Sequence, residues 1–207
     1  GCIDSLKKYV LLFPEPLASF VLNGGSDDCA LPRNGLVKTI TNTTLVKVPG
    51  RYNWSIFNLT SASPVHGVVI SNTTAFQPTF TFPDNLSQSD TTYAITLVVT
   101  SPDGCVRDTT INQIVYARPI VNFRMTDSTS CTGQLSVSFL DMSLSPTSVI
   151  TRRLWTFDDG TATSTLPAVN HIYSTYGIYW PSLYVVNARG CMSDTMRKRI
   201  VVFGAPQ

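Results

Sequence analysis

Five cysteines, two histidines and the adjacent aspartates Asp158 and Asp159 are side chains of this 207-residue sequence whose chemistry could go beyond packing. The thiols of Cys2, Cys29, Cys105, Cys131 and Cys191 can cross-link the chain, bind a metal or act as nucleophiles. No two of them are closely spaced, and His66 lies far from His171, so the ligand spacing of a zinc site is missing. Neither histidine falls in a motif for hydrolysis, phosphate binding or dinucleotide binding. Scattered Ser, His and Asp residues occur in almost any chain and do not make a triad. No catalytic residue is assigned, and the chain is not expected to be an enzyme. Asp158 and Asp159 offer oxygen ligands to a hard cation, but Asp159 is equally suited to bonding the backbone amides of its own turn. Trp180 and Tyr184 are a candidate ligand surface, since exposed aromatics stack on sugars. The competing arrangement is internal, with Arg197 and Arg199 stacked over the two rings.

Short strands are what the sequence provides to position these groups. In 179–185, Tyr179, Pro181, Leu183 and Val185 share one face, and Trp180, Ser182 and Tyr184 share the other. The segments 37–41 and 135–139 alternate in the same way. Breakers such as Asp103-Gly104, Asp159-Gly160 and Asn23-Gly24-Gly25 stand between segments, and no run has helical spacing. Charged residues make up 14% of the chain, below the roughly 25% of an average soluble domain; Thr, Ser and Asn fill the polar positions, as suits a secreted β protein. The net charge of +2 gives no reason to expect a nucleic acid or an anionic membrane as partner. No stretch reaches the roughly 18 apolar residues of a membrane span, so membrane insertion is not expected.

The chain aligns with itself. Tyr93 to Cys105 matches Tyr179 to Cys191 without a gap, and Asp108-Thr109 then falls on Asp194-Thr195. Upstream, Trp54 matches Trp155, Cys29 matches Cys131 and Phe20 matches Phe123. This divides the chain into residues 1–13, the last strand of a preceding copy; 14–118, a first full unit; and 119–207, a second. Prolines at Pro14, Pro16, Pro119 and Pro206 mark the junctions as short, stiff linkers. Several short strands and one central Trp per unit predict an all-β fold of tandem immunoglobulin-like sandwiches.

The repeat also suggests the cross-links. Each full unit has one early and one late cysteine, which pairs Cys29 with Cys105 and Cys131 with Cys191. Each bridge closes a loop of about 60–80 residues, worth roughly 4 kcal/mol in the chain-entropy model. Cys2 is left unpaired in this segment, its partner lying upstream. The alternative is that all five are reduced thiols.

The second unit resembles the PKD domain family, an immunoglobulin-like fold. The match is carried by Trp155-Thr156-Phe157-Asp158-Asp159-Gly160, His171-Ile172-Tyr173, Gly177-Ile178-Tyr179, Leu183 and Val185. Asp158 stands where the family pattern has Gly, and Pro181 where it has Val. The first unit keeps Trp54 and the strand 93–99 but lacks the Gly-Asp-Gly turn, so it reads as a degenerate relative. Some members of the family bind calcium through acids in the loop before the Trp strand; here that loop, 143–148, has only Asp141 at its edge. Calcium, through Asp158 and Asp159, is the only cofactor the resemblance raises.

The Gly-Cys-x-Asp-Thr style of ending resembles PKD-like repeats in very large surface proteins of Bacteroidota, including gliding-motility adhesins exported by type IX secretion. That resemblance implies an extracellular, cell-surface setting. It also implies O-glycosylation of Ser5, Thr91, Thr109, Ser128 and Thr195, each following an Asp; ordinary Asp-Ser/Thr turn chemistry is the plain alternative. The expected role is a structural or adhesive spacer whose partners are neighbouring repeats of the same chain, surface polysaccharide or other cell-surface proteins. The rival expectation is a polysaccharide- or protein-binding accessory module of a secreted hydrolase.

Overall fold

The structure is a computed structural model and describes residues 15–24, 27–31, 34–45, 50–61 and 67–204. The strand expected over 1–13, with Cys2 and Ser5, lies outside the described residues, as does His66. Every regular element described is a strand. The first eight are β1 (Phe20–Leu22), β2 (Asp27–Cys29), β3 (Leu36–Asn42), β4 (Arg51–Asn58), β5 (Val69–Ile70), β6 (Thr79–Phe82), β7 (Thr91–Thr100) and β8 (Val106–Tyr116). The remaining nine are β9 (Phe123–Met125), β10 (Thr129–Ser130), β11 (Leu135–Asp141), β12 (Ile150–Thr156), β13 (Ala168–Tyr173), β14 (Gly177–Tyr179), β15 (Ser182–Asn187), β16 (Met196–Arg197) and β17 (Ile200–Val202).

Two sandwiches result, each with its own core. In the first, the sheet β1-β3-β6-β5 faces the sheet β2-β8-β7-β4. In the second, β9-β11-β13 faces the ribbons β12-β15-β16 and β10-β17-β14. Alternation along the strands supplies the inner faces: Tyr93, Ile95, Leu97 and Val99 on β7, and Leu135, Val137 and Phe139 on β11, are all buried. Trp54 and Trp155 are the central side chains. Trp54 pairs across the ladder with Leu97 and Trp155 with Leu183. Each indole sits edge-on to a neighbouring Phe, Phe20 at 4.9 Å and Phe123 at 5.2 Å. Each indole N–H donates to a loop carbonyl, Ala75 at 2.9 Å and Leu166 at 2.8 Å, so burial leaves no orphan donor.

The alternation predicted through 179–185 breaks in the middle. β7 runs unbroken for 10 residues, but its counterpart is split into β14 and β15 around Trp180-Pro181. Proline has no N–H to give to a ladder, so a strand running through it is interrupted. The N–H of Trp180 is satisfied elsewhere: it donates to the Asp158 carboxylate at 2.9 Å. Asp158 itself adopts φ 64°, the left-handed region. The two departures from the PKD pattern are thus one device, in which the residue replacing Gly supplies the acceptor that the strand break requires.

This arrangement has a measurable consequence. Asp158→Ala keeps the backbone strain and loses the acceptor, and should cost about 1–2 kcal/mol. Asp158→Gly loses the same bond but relieves the strain, and should stay within about 0.5 kcal/mol of the parent. Urea unfolding midpoints separate the two; equal losses for Ala and Gly would refute the coupling.

Candidate functional site

The groups with the most connected chemistry lie where the two sandwiches meet. The meeting is end to end: the close of β8 and the linker 117–119 abut the turn between β15 and β16. A disulfide joins Cys29 of the first sandwich to Cys191 of the second, with Cα atoms 5.2 Å apart and a sequence separation of 162. The expected pairs Cys29–Cys105 and Cys131–Cys191 do not form; Cys105 and Cys131 are free thiols, half-buried and exposed respectively.

Strand direction explains the observed pairing. Cys29 pairs with Tyr116, at the end of β8, whereas Cys105 sits in the turn just before β8 begins. The 11 residues of β8 place the two roughly 35 Å apart, and a disulfide needs Cα atoms within about 7 Å. The second sandwich repeats the problem, with Cys131 beside the end of β17 and Cys191 in the turn at the opposite end.

Polar groups flank the bridge on both sides. Arg118, in the linker, is fully buried. Its guanidinium donates to the Met192 carbonyl at 2.7 Å and to Asp194 at 3.3 Å in the second sandwich, and pairs with Asp84 of the first. Asp90 of the first sandwich accepts from the Ala117 N–H at 2.9 Å and the Thr147 hydroxyl at 2.9 Å, and pairs with Arg189. Arg189 also lies over the Tyr116 ring at 4.2 Å. Burial opposes ionisation of Asp90, but the Ala117 N–H, the Arg189 guanidinium and the Thr147 hydroxyl outweigh it and hold the carboxyl below its ordinary value. The buried amide of Asn187 shapes the turn that presents Cys191, accepting from the N–H of Arg189 and of Cys191, each at 3.0 Å.

The other predicted residues are scattered. Trp180 is 47% exposed and lines a depression with Thr156, Asp158, Ser182 and Arg197. Tyr184 lines a different one, with Thr151, Arg152, Arg153, Leu154 and Thr165, so the two aromatics do not form one platform. The described cations that lie over rings are Arg189 over Tyr116 and Lys198 over Phe123, not Arg197 or Arg199. Asp159 accepts from Thr161 and from His171 Nε2 at 2.6 Å, while the His171 ring stacks on Phe157 at 3.9 Å. Burial works against the charged form of Asp159, but bonds from Thr161 and His171 prevail and lower its pKa. Asp141 is taken by Arg153 at 2.6 Å and by the Ser143 N–H at 2.8 Å. These carboxylates are met by protein donors, and among the described residues no cluster of three or more His, Cys, Asp or Glu is placed to hold a metal. Ser128 and Thr195 are exposed, Thr109 is half-exposed on β8, and the Thr91 hydroxyl accepts from Asn85 at 3.2 Å. Among the described residues no helix is long and apolar enough to cross a membrane.

Sequence reading did not assign Arg118, Asp90 and Arg189 to a site. A signal was present for the first: a single arginine between Ala117 and Pro119 in an otherwise apolar junction.

Fold and seam together define the class of architecture, immunoglobulin-like sandwiches joined in series. The family model for the PKD domain matches residues 116–202, so the second sandwich is similar to that domain. PKD domains are extracellular structural or adhesive modules of secreted proteins and are not themselves catalytic. Among solved structures, the chain is similar to the PKD1 domain of the Vibrio cholerae metalloprotease PrtV, at 29% identity over 42% of this chain and 98% of that one, with a TM-score of 0.36. The PKD1 domain of Vibrio anguillarum Epp matches at 28% identity over 43% of this chain and 96% of that one, with a TM-score of 0.36. Fibronectin(III)-like modules of Clostridium thermocellum CbhA match at 16% identity over 90% and 95%, with a TM-score of 0.38. No curated protein sequence matches the chain.

Proposed function

We propose that this chain is a spacer segment of a large extracellular surface protein, built as a series of repeated sandwiches that transmit tension, in the manner of a gliding-motility adhesin exported by type IX secretion. The observation that carries the reading is the seam. A covalent bridge and a buried arginine fix one sandwich end-on to the next, which suits a strut. Exposed Ser128 and Thr195, each following an Asp, fit O-glycosylation of such a surface. The partners are neighbouring repeats, with surface polysaccharide or other surface proteins engaged elsewhere along the array.

Small-angle scattering tests the strut. A compact globule of this length has a radius of gyration of about 17 Å, whereas two sandwiches each roughly 37 Å long, placed end to end, give about 24 Å. The larger value is expected, and a value near the smaller would refute the reading.

The exposed Trp180 beside Ser182 and Arg197 favours a second reading, a polysaccharide- or protein-binding accessory module of a secreted hydrolase. Specific binding on a glycan array that disappears with Trp180→Ala would select it over the strut.

A further inference from the structure

We infer that Cys105 and Cys131 are the open halves of two more bridges of the Cys29–Cys191 kind, each completed by the matching cysteine of an adjoining sandwich. The inference rests on the reading of the chain as part of an array, and adds to it a covalent ladder.

Each free thiol occupies the position of a bridged one. Cys105 sits in the same turn as Cys191. The Ser101 N–H donates to the Cys105 carbonyl at 2.8 Å, as the Asn187 N–H does to the Cys191 carbonyl at 3.0 Å. The Gly104 N–H donates to the Ser101 carbonyl at 3.0 Å, as the Gly190 N–H does to the Asn187 carbonyl at 2.9 Å. The two glycines share a left-handed φ, 86° and 84°. A side chain caps each turn in the same way: Ser101 Oγ accepts the Cys105 N–H at 3.1 Å, and Asn187 Oδ1 accepts the Cys191 N–H at 3.0 Å. Cys131 in turn has the setting of Cys29. Strand β2, ending in Cys29, runs parallel to the end of β8; β10, ending just before Cys131, runs parallel to the end of β17. The early cysteine therefore marks the end of a sandwich that faces the next one, and the late cysteine the end that faces the one before.

Within this chain the two thiols cannot meet. They occupy opposite extremes of a body roughly 75 Å long, two sandwich lengths. Both are accessible to a partner docked as the second sandwich docks on the first. Each new bridge forms as two thiols pass two electrons and two protons to the disulfide of an oxidant of the glutathione or dithiol-oxidoreductase class, which leaves as two thiols.

The ladder has a mechanical meaning. From Cys105, the chain runs along β8, through the linker and along β9 and β10 to Cys131, about 26 residues with a full extension of about 90 Å. The folded pair already spans roughly 75 Å over the same path. With bridges at both thiols, tension passes from bridge to bridge along this nearly taut run. The array then stretches by no more than about a fifth before a covalent bond must break. Without them, the tails outside the Cys29–Cys191 loop pay out about 150 Å of contour, and once that bond breaks as well the pair unravels to about 700 Å.

The test is a chain in which residues 1–206 are followed directly by residues 17–207, so that Pro206 stands before Leu17 as Pro119 stands before Ile120. After refolding with oxidised glutathione, non-reducing peptide mass spectrometry should find Cys29–Cys191 in both halves, and Cys131 of the first half joined to Cys105 of the second. Cys131→Ser in the first half should leave that Cys105 open to alkylation. The inference is overturned if Cys29–Cys191 forms while Cys131 and Cys105 stay free thiols. In that case the strut, read from scattering, still stands. A Cys105–Cys131 link within one half, or no Cys29–Cys191 link at all, overturns the inference and its basis alike.

Discussion

Pulled from its two ends, the chain with Cys29–Cys191 closed should release about 150 Å of contour, and breaking the bridge should add about 570 Å more. The second figure follows from the sequence separation of 162 that the bridge spans, at about 3.5 Å per step when extended. While the bond holds, force bypasses the enclosed residues, and only the tails outside the loop pay out. Nearly all of β3 to β15 is thereby shielded, including both buried tryptophans. The bridge also confines the unfolded chain, by about 5 kcal/mol in the chain-entropy model for a loop of this size. Single-molecule force extension in the presence and absence of a reductant reads the contour directly, and Cys29→Ser should reproduce the reduced trace under oxidising conditions. Bridges Cys29–Cys105 and Cys131–Cys191 would instead give two separate, smaller shielded loops. Identical contour lengths in the two conditions would mean that the bridge carries no tension, and with it would go the main support for a tether.

The alternation of apolar residues placed the strands, and the repeat located the equivalent residues. Phe20 and Phe123, each edge-on to its Trp, are an example: spacing alone aligned them, and the packing repeats. Which end of a sandwich each cysteine occupies was not legible. The internal alignment says that Cys29 resembles Cys131 and that Cys105 resembles Cys191, but it carries no direction along the strands. That information lies in the parallel pairing of β2 with the far end of β8, a contact between residues almost 90 apart in sequence. The position of Lys38 was hidden for a related reason. The alternation in 36–42 leaves open which face turns inward. The fold buries Lys38 at 3% exposure, with its ammonium 3.2 Å from Asp28, and leaves Val37 60% exposed. The strand break at Pro181 was available from the residue alone, whereas the answering left-handed Asp158 required the two loops to be seen side by side.

Arg118→Ala should loosen the seam by about 2–4 kcal/mol, somewhat below the 3–5 typical of breaking a fully buried ion pair. The discount reflects Asp194, which is 38% exposed and partly screened by water. The loss is large because it leaves partners behind. The guanidinium reaches acceptors on both sandwiches at once, Asp84 on one side and Asp194 and the Met192 carbonyl on the other. Without it, the Asp84 carboxylate, one oxygen of which already has no hydrogen-bond partner, is stranded in the joint. Lysine should not rescue, because a single ammonium cannot span a fork of acceptors. Arg118→Met combined with Asp84→Asn should recover most of the loss, since it removes the stranded charge together with its partner. These variants belong in a Cys29→Ser background, where the covalent bridge no longer masks undocking. Expected there are a broadened distance distribution in scattering and a lowered urea midpoint for Arg118→Ala, both largely restored in the double substitution. If Arg118→Ala leaves both readouts unmoved, the sandwiches are held by the bridge alone, and the stiffness attributed to the buried arginine is absent.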